Sequence, residues 1–251
     1  FNDSFRAAND ILIKRPYVNK IFVVCWYTPI MMGIVSAAKK LGIKVIDVQH
    51  GKQGKFNAMY SGWRHISHKE KYVMMPDYFW CWGEPSAKQM LKTSKDRKTH
   101  IPFVGGYPWI DYWKQNEKFN VKNKSLFQEK NIKKILVTLQ PIVWSETKLI
   151  PDFILEFMRK NDKSYYFIFR LHPNNKVKMK EIKKYFVGIS NSNFCFDNSK
   201  LDLYALFDEV DFHITRFSST CFEASLFQVK TLLYGKDSFE LYKDEILDEQ
   251  F

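Results

Sequence analysis

The sequence predicts an α/β fold, two Rossmann-like doubly wound domains facing across a cleft, and three observations carry that expectation. Continuous apolar runs alternate with helix-sized segments, the mark of βαβ units on a parallel sheet. The alternation lapses once, in a Lys/Asn-rich stretch after the turn signal Gly105-Gly106-Tyr107-Pro108, and then resumes. Polar motifs follow three of the apolar runs, at strand ends where open α/β sheets hold their ligands.

Taken in order, residues 3–14 read as a helix, 21–26 as a buried strand and 29–41 as a helix that Gly42 stops. Residues 43–48 form the next strand, 51–71 a loop without clear period around Gly54 and Gly62, and 78–82 another strand. A helix over 84–93 and a short strand over 101–104 complete a first domain, residues 1–107, and residues 108–131 read as linker. In the second domain, 132–251, strands are expected at 135–139, 165–171, 193–196, 211–215 and 231–234. Helices fill 146–160, 177–186, 201–207 and 219–228, the third with Asn198 and Ser199 as capping candidates.

Composition narrows the class. With 251 residues, 45% hydrophobic and 17% aromatic, the chain can bury two cores, which argues against disorder. The net charge of +12 calls for an acidic partner, a nucleic acid, an anionic membrane surface or a phosphorylated substrate, although much of the lysine is scattered as on any solvated surface. Trp26, Trp63, Trp80, Trp82, Trp109 and Trp113 lie mainly in strands and turns rather than on a basic-aromatic platform, so no nucleic-acid partner is expected. The longest apolar stretch, 21–36, is broken by Thr28, Pro29 and Gly33 and is too short to span a bilayer, and no signal peptide is visible. Cys25, Cys81, Cys195 and Cys221 form no CxxC pair and read as buried free thiols of a reducing, cytoplasmic compartment. A first residue Phe1 and an end soon after the last strand suggest a piece of a larger protein.

Of the three motifs, Ser218-Ser219-Thr220 opens a helix after a strand, where unpaired N–H groups and hydroxyls suit a phosphate, and where plain capping is the simpler reading. Glu223, one turn on, could reach a ribose hydroxyl or close a capping box with Thr220. Arg170-Leu171-His172-Pro173 ends a strand with Arg170 and His172 on one face: a phosphate-binding fork and a hydrogen-bond donor, or an Arg paired to a carboxylate beside a packed His. Gln49-His50-Gly51 projects His50 from a strand end as a candidate general base, with Asp47, read as lying on the same strand face, to orient it; a structural histidine is the alternative. Together they suggest a donor held by the second domain and a base supplied by the first. No acidic pair of the DxD kind follows a strand, since Asp208-Glu209 and Asp211 flank a strand start, so neither a metal nor another cofactor is expected.

These motifs resemble those of bacterial surface-polysaccharide transferases of the GT-B architecture. Gln49-His50-Gly51, residues 168–173 and the run Ile214-Thr215-Arg216-Phe217-Ser218-Ser219-Thr220-Cys221-Phe222-Glu223 carry the likeness. Trp82-Gly83, Val104-Gly105-Gly106-Tyr107-Pro108 and residues 136–141 support it, over about 21–235. Teichoic-acid glycerophosphotransferases, with capsule polymer transferases beside them, are the nearest families. The resemblance implies that His50 is the catalytic base, that Arg170, His172, Ser218 and Ser219, with Thr220, contact donor phosphate, and that Glu223 holds the ribose with Gln140 as a further donor-site residue. Arg216-Phe217 and Gln49 stand where the glycerophosphotransferases usually have Asp-Tyr and Trp, which favours a sugar donor over glycerol phosphate.

The leading expectation is therefore a metal-independent glycosyltransferase that moves a sugar from a nucleotide-activated donor to a glycan or lipid-linked acceptor in capsule, O-antigen or related synthesis. The lysine surplus would attach it peripherally to the anionic inner face of the plasma membrane. Alternatives are a CDP-polyol phosphotransferase of the teichoic-acid type, a nucleotide-sugar epimerase, which needs a carboxylate pair not evident here, and a basic nucleic-acid-binding protein.

Overall fold

Each apolar run of the first unit, Phe1–Tyr112, becomes a strand of one parallel sheet. The structure is a computed structural model that describes residues 1–52, 57–61, 72–92, 97–115, 132–140, 148–161, 164–173, 179–190, 193–197 and 201–247. The unit runs α1 (Asn2–Ile13), β1 (Lys20–Val23), α2 (Pro29–Lys40), β2 (Lys44–Val48), α3 (Ala58–Ser61), β3 (Tyr78–Cys81), α4 (Glu84–Leu91) and β4 (Ile101–Val104). The sheet order is β1-β2-β3-β4, so the chain steps in one direction across it. Helix α2 starts where Thr28 Oγ1 accepts from the Met31 N–H at 3.3 Å and Pro29 needs no partner; it ends before Gly42, whose φ of +75° suits glycine. Val23, Val45, Phe79 and Cys81 point to one face and pack with Val35 and Ala38 of α2 and Met90 of α4. On the other face Trp80 meets Phe22 and Phe103 edge-on, at 6.3 and 5.5 Å.

The second unit, Trp113–Phe251, is entered through α5 (Pro108–Gln115). It continues with β5 (Lys133–Leu139), α6 (Asp152–Lys160), β6 (Tyr165–Leu171), α7 (Met179–Lys183) extended by a 3-10 turn at Lys184–Phe186, and β7 (Phe194–Asp197). Then follow α8 (Leu203–Phe207), β8 (Phe212–Thr215), α9 (Thr220–Leu226), β9 (Lys230–Leu233) and α10 (Lys236–Leu247). All strands are parallel in the order β7-β6-β5-β8-β9. The order therefore reverses between β5 and β8, which makes their carboxyl ends a topological switch point. One face of the sheet carries Val137, Leu139, Phe167, Phe169 and Leu171 against Ile154 and Met158 of α6.

Several expected boundaries move, each for a local reason. Strand β1 stops at Val23 because Cys25 takes a left-handed φ of +56°. Part of the expected linker is helix α5, held by Trp113, which is buried and edge-on to Tyr204 and Phe227 at 5.5 and 5.6 Å. Helix α8 is capped by Asp202, whose carboxylate accepts from the N–H groups of Tyr204 and Ala205; Asn198 and Ser199 lie outside the described residues, as do Gly54, Gly62 and Trp63. Of the thiols, Cys81 and Cys221 are buried, whereas Cys25 and Cys195 are half-exposed. Among the described residues no helix is long and apolar enough to cross a membrane.

Gly105 follows β4 with its backbone against the Trp80 indole: an added Cβ would stand 2.1 Å from Cε2. The indole is not free to retreat, since its Nε1 donates to the Gly106 carbonyl at 2.9 Å. Gly105→Ala is expected to destabilise the protein by about 1–3 kcal/mol. Thermal unfolding checks this, and an unchanged midpoint would contradict it.

Candidate active site

The switch point collects most of the second unit's candidate residues. Parallel register places Asp197, Arg170, Thr138 and Thr215 in one row across β7, β6, β5 and β8, on the face opposite the apolar core. Gln140, half-buried, follows β5, and the 216–220 loop follows β8. Thr138 Oγ1 lies 2.9 Å from His213 Nε2 and 3.4 Å from Thr220 Oγ1, while Thr215 Oγ1 donates to the Thr138 carbonyl at 3.2 Å. His213 Nδ1 reaches Thr231 Oγ1 at 3.0 Å. The ring is fully buried, and desolvation pulls its pKa down to about 3, so it is neutral and links two hydroxyls, donating to one and accepting from the other.

The loop after β8 is strapped from behind. The Arg216 guanidinium pairs with Asp237 of α10 at 2.8 Å, the Ser238 hydroxyl donates to the carbonyls of Arg216 and Tyr234, and the Tyr242 hydroxyl donates to the Phe217 carbonyl at 3.0 Å. Ser218, Ser219 and Thr220 are half-buried at the start of α9. Ser218 Oγ accepts from the Thr220 N–H at 3.3 Å, and Ser219 makes no capping bond with its side chain. Glu223 Oε1 accepts from the Tyr204 hydroxyl at 2.8 Å, which ties the carboxylate to α8.

Two of the expected residues have buried partners. Arg170 is tied into the sheet: Nη1 donates to Asp197 Oδ2 and, at 2.8 Å, to the Leu201 carbonyl, joining β6 to β7. Its register partner is a nearly inaccessible carboxylate, which holds this nitrogen against the sheet. His172, one residue past β6, is half-buried. Asp47 does not orient His50. Three positions separate them, an odd spacing that sends their side chains different ways; Asp47 is fully buried and hydrogen-bonds His100 Nε2 through Oδ2 at 2.9 Å.

His50 instead meets Cys25, with Nε2 3.2 Å from the thiol sulfur. Its edge is exposed, yet surrounding protein lowers its pKa by desolvation, opposed by the Asp47 charge. The imidazole is thus unprotonated near neutral pH and able to accept a proton. Gln49 holds this strand end in place: its amide donates to the Gly51 carbonyl and to Ser86 Oγ, and its carbonyl accepts from the Trp82 N–H at 2.8 Å. Beyond β3, Trp82 stacks on Tyr107 with centroids 4.4 Å apart. Among the described residues no group of three or more His, Cys, Asp and Glu side chains could hold a metal ion. The motifs gave no hint of Cys25, Tyr60, His100, Thr138 or His213; the only sequence cue was a His or Thr inside or beside an apolar run.

No family model and no curated protein matches the chain. Solved structures do. A UDP-GlcNAc 2-epimerase from Neisseria meningitidis, bound to UDP-GlcNAc, superposes with a TM-score of 0.66 at 20% identity, over 94% of this chain and 64% of that one. The UDP-GlcNAc 2-epimerase of Methanocaldococcus jannaschii gives 0.60 at 17% identity, over 98% and 74%. That of Rickettsia bellii gives 0.56 at 14% identity, over 93% and 60%. The likeness is one of fold. The chain has the two-unit, parallel-sheet α/β fold of GT-B type, and it spans less than two thirds of the Neisseria and Rickettsia chains.

The buried imidazoles make stability acid-sensitive. His213 has a folded pKa near 3 against an ordinary 6.5, so between those values the unfolded chain binds a proton that the folded chain refuses. Stability is unaffected above pH 6.5 and falls as pH drops below it, at up to about 1.4 kcal/mol per pH unit from this group. His213→Gln is expected to flatten that slope in urea titrations between pH 6.5 and 4.5; an unchanged slope would contradict the assignment.

Proposed function

We propose that this chain forms the two-unit core of a glycosyltransferase that moves a sugar from a nucleotide-activated donor to an acceptor hydroxyl in surface-glycan synthesis. The observation that carries the reading is the reversal of strand order at β5/β8, with Thr138, Gln140 and the serine-threonine loop gathered at the carboxyl ends of those strands. In this reading the hydroxyls of Ser218, Ser219 and Thr220, with His172, donate to the donor phosphates. Gln140 and Glu223 approach the nucleoside, and the Tyr204 hydrogen bond presents the Glu223 carboxylate in one orientation. His50 accepts the proton of the acceptor hydroxyl as its oxygen bonds to the anomeric carbon and the nucleotide leaves with the electrons of the broken bond. Donor hydrogen bonds stabilise the leaving phosphate in this scheme, without a required metal. The acceptor is a glycan or a lipid-linked glycan, met at the cytoplasmic face of an anionic membrane that attracts the lysine-rich surface.

A second reading is a nucleotide-sugar epimerase. It is favoured by the fold shared with UDP-GlcNAc 2-epimerases, and it makes UDP-GlcNAc the first donor to try.

Calorimetry and turnover with UDP, CDP, CMP and GDP sugars separate the two. The transferase consumes donor only when acceptor is present and does so in excess chelator. His50→Ala is expected to lower kcat/KM by roughly 10²–10⁴-fold while nucleotide Kd stays unchanged. Ser219→Ala or His172→Ala should weaken nucleotide Kd by about tenfold. Equal affinity in all three variants would contradict these roles, and acceptor-free conversion of the sugar would favour the epimerase.

A further inference from the structure

Behind the serine-threonine loop, four side chains form a line into the second sheet. Thr220 Oγ1 lies 3.4 Å from Thr138 Oγ1, Thr138 Oγ1 2.9 Å from His213 Nε2, and His213 Nδ1 3.0 Å from Thr231 Oγ1. His213 is wholly inaccessible to solvent, Thr138 nearly so, and Phe207 covers the imidazole edge-on at 5.4 Å. Register accounts for the line: His213 stands opposite Thr231 of β9, and Thr138 stands opposite Thr215, two residues along β8, which sets it diagonal to His213 on one face of the sheet. Packing does not call for such a network, because apolar groups of the same shape in all its places would be close to neutral for stability.

Hydrogens along this line can run in either of two directions. The neutral imidazole has a single N–H, and each threonine has one hydroxyl hydrogen. If Nδ1 carries the ring hydrogen, Thr138 donates to Nε2, and Thr220 can meet Thr138 only by donating inward. Its oxygen then turns lone pairs outward. If Nε2 carries it, His213 donates to Thr138, Thr138 donates to Thr220 and Thr231 donates to Nδ1. The Thr220 hydrogen is then left to point outward. Both orders hold three hydrogen bonds, so neither is preferred by count. Neighbouring donors stay out of the line: Thr215 Oγ1 spends its hydrogen on the Thr138 carbonyl, and the Thr220 N–H spends its own on Ser218 Oγ. The hydroxyl is therefore the donor that Thr220 has left for a ligand.

We propose that His213 is a positioning residue for the anion site: its Nε2–H donates to Thr138, Thr138 donates to Thr220, and the Thr220 hydrogen is thereby turned out toward a phosphate oxygen. The inference rests on reading residues 218–220 as the donor-phosphate site. An ionised phosphate oxygen only accepts, so an anion at Thr220 suits this order; in the opposite one the Thr220 hydrogen must leave Thr138 before it can serve the anion. Binding thus selects one tautomer of a ring that stands two hydrogen bonds behind the ligand. Each donated bond also polarises the next, which strengthens the terminal hydroxyl as a donor. Burial holds the imidazole neutral, and a protonated ring would still donate from Nε2, so the direction survives changes of pH. The step from Thr138 to Thr220 is the longest of the line, and it is the one to break in a test.

Long-range nitrogen NMR of the whole chain reads the tautomer of His213, whose signals are those lost in His213→Gln. With saturating UDP or inorganic pyrophosphate the ring is expected in its Nε2–H form. Thr138→Val keeps the shape and breaks the line. It is expected to weaken the affinity for either ligand by roughly 3–10-fold in calorimetry and to leave the His213 signals unresponsive to ligand. Thr138→Ser returns the hydroxyl and should recover both. Melting curves identify folded variants, and if Thr138→Val does not fold, the bound tautomer of the unchanged chain decides. A bound Nδ1–H tautomer, or undiminished affinity in folded Thr138→Val, overturns the proposal. If pyrophosphate produces these effects and no nucleotide binds, the nucleotide reading fails and the relay stands; a nucleotide bound with His213 in its Nδ1–H form overturns the relay alone. Absence of binding by pyrophosphate and nucleotides alike overturns both.

Discussion

The hydrogen bonds of Thr138 join the two strands at which the second sheet changes direction. At that reversal lies the crevice in which open α/β sheets hold their ligands, at the carboxyl ends of β5 and β8. Thr138 fills its place in the row with a hydroxyl that meets His213 on one side and Thr220 on the other, while its carbonyl accepts from Thr215. An unpartnered imidazole at His213 would carry the full cost of desolvation; between Thr138 and Thr231 both nitrogens are satisfied. The start of α9 is thereby tied to the sheet, and the hydroxyls of residues 218–220 are displayed from a rigid edge rather than from a free loop.

The first unit solves a different problem. Its strands advance in one direction, and the polar groups that matter lie where β1 and β2 end. Cys25 turns the chain with a positive φ and presents its sulfur to His50, while Gln49 spends every polar group of its side chain on the neighbouring backbone and Ser86. Below them Asp47 and His100 place a hydrogen-bonded polar pair in a region otherwise lined by Trp26, Tyr60 and Phe79. One strand end thus combines a backbone held by direct hydrogen bonds with a solvent-edge ring whose pKa desolvation lowers.

Strands were the most legible part of the sequence. Short, mostly apolar runs gave β4 and β6 to the residue; β6, flanked by β5 and β7, is buried over Phe167–Phe169, and β4, at the sheet edge, is closed off by Gly105. Helix α5 was hidden by the turn signal before it and the Lys/Asn-rich stretch after it, although Ile110 and Trp113 are its buried side. Helix α10 was missed because its charged residues follow no clean period and its backbone is interrupted at Tyr242. At the site, strand-end positions could be read but partnerships could not. The pairing of Arg170 with Asp197 depends on which strand lies beside β6, and Asp47 meets His100 across 53 residues. Such contacts follow from sheet order, which a single sequence does not print.

In the proposed reading a nucleotide sits at the edge where β5 and β8 diverge. Amide hydrogen exchange on the whole chain, with and without a saturating nucleoside diphosphate sugar, tests it most directly. Slowed exchange in peptides covering 138–140 and 216–223 is the result expected. Unchanged exchange there, with protection appearing elsewhere in the second unit, would contradict it.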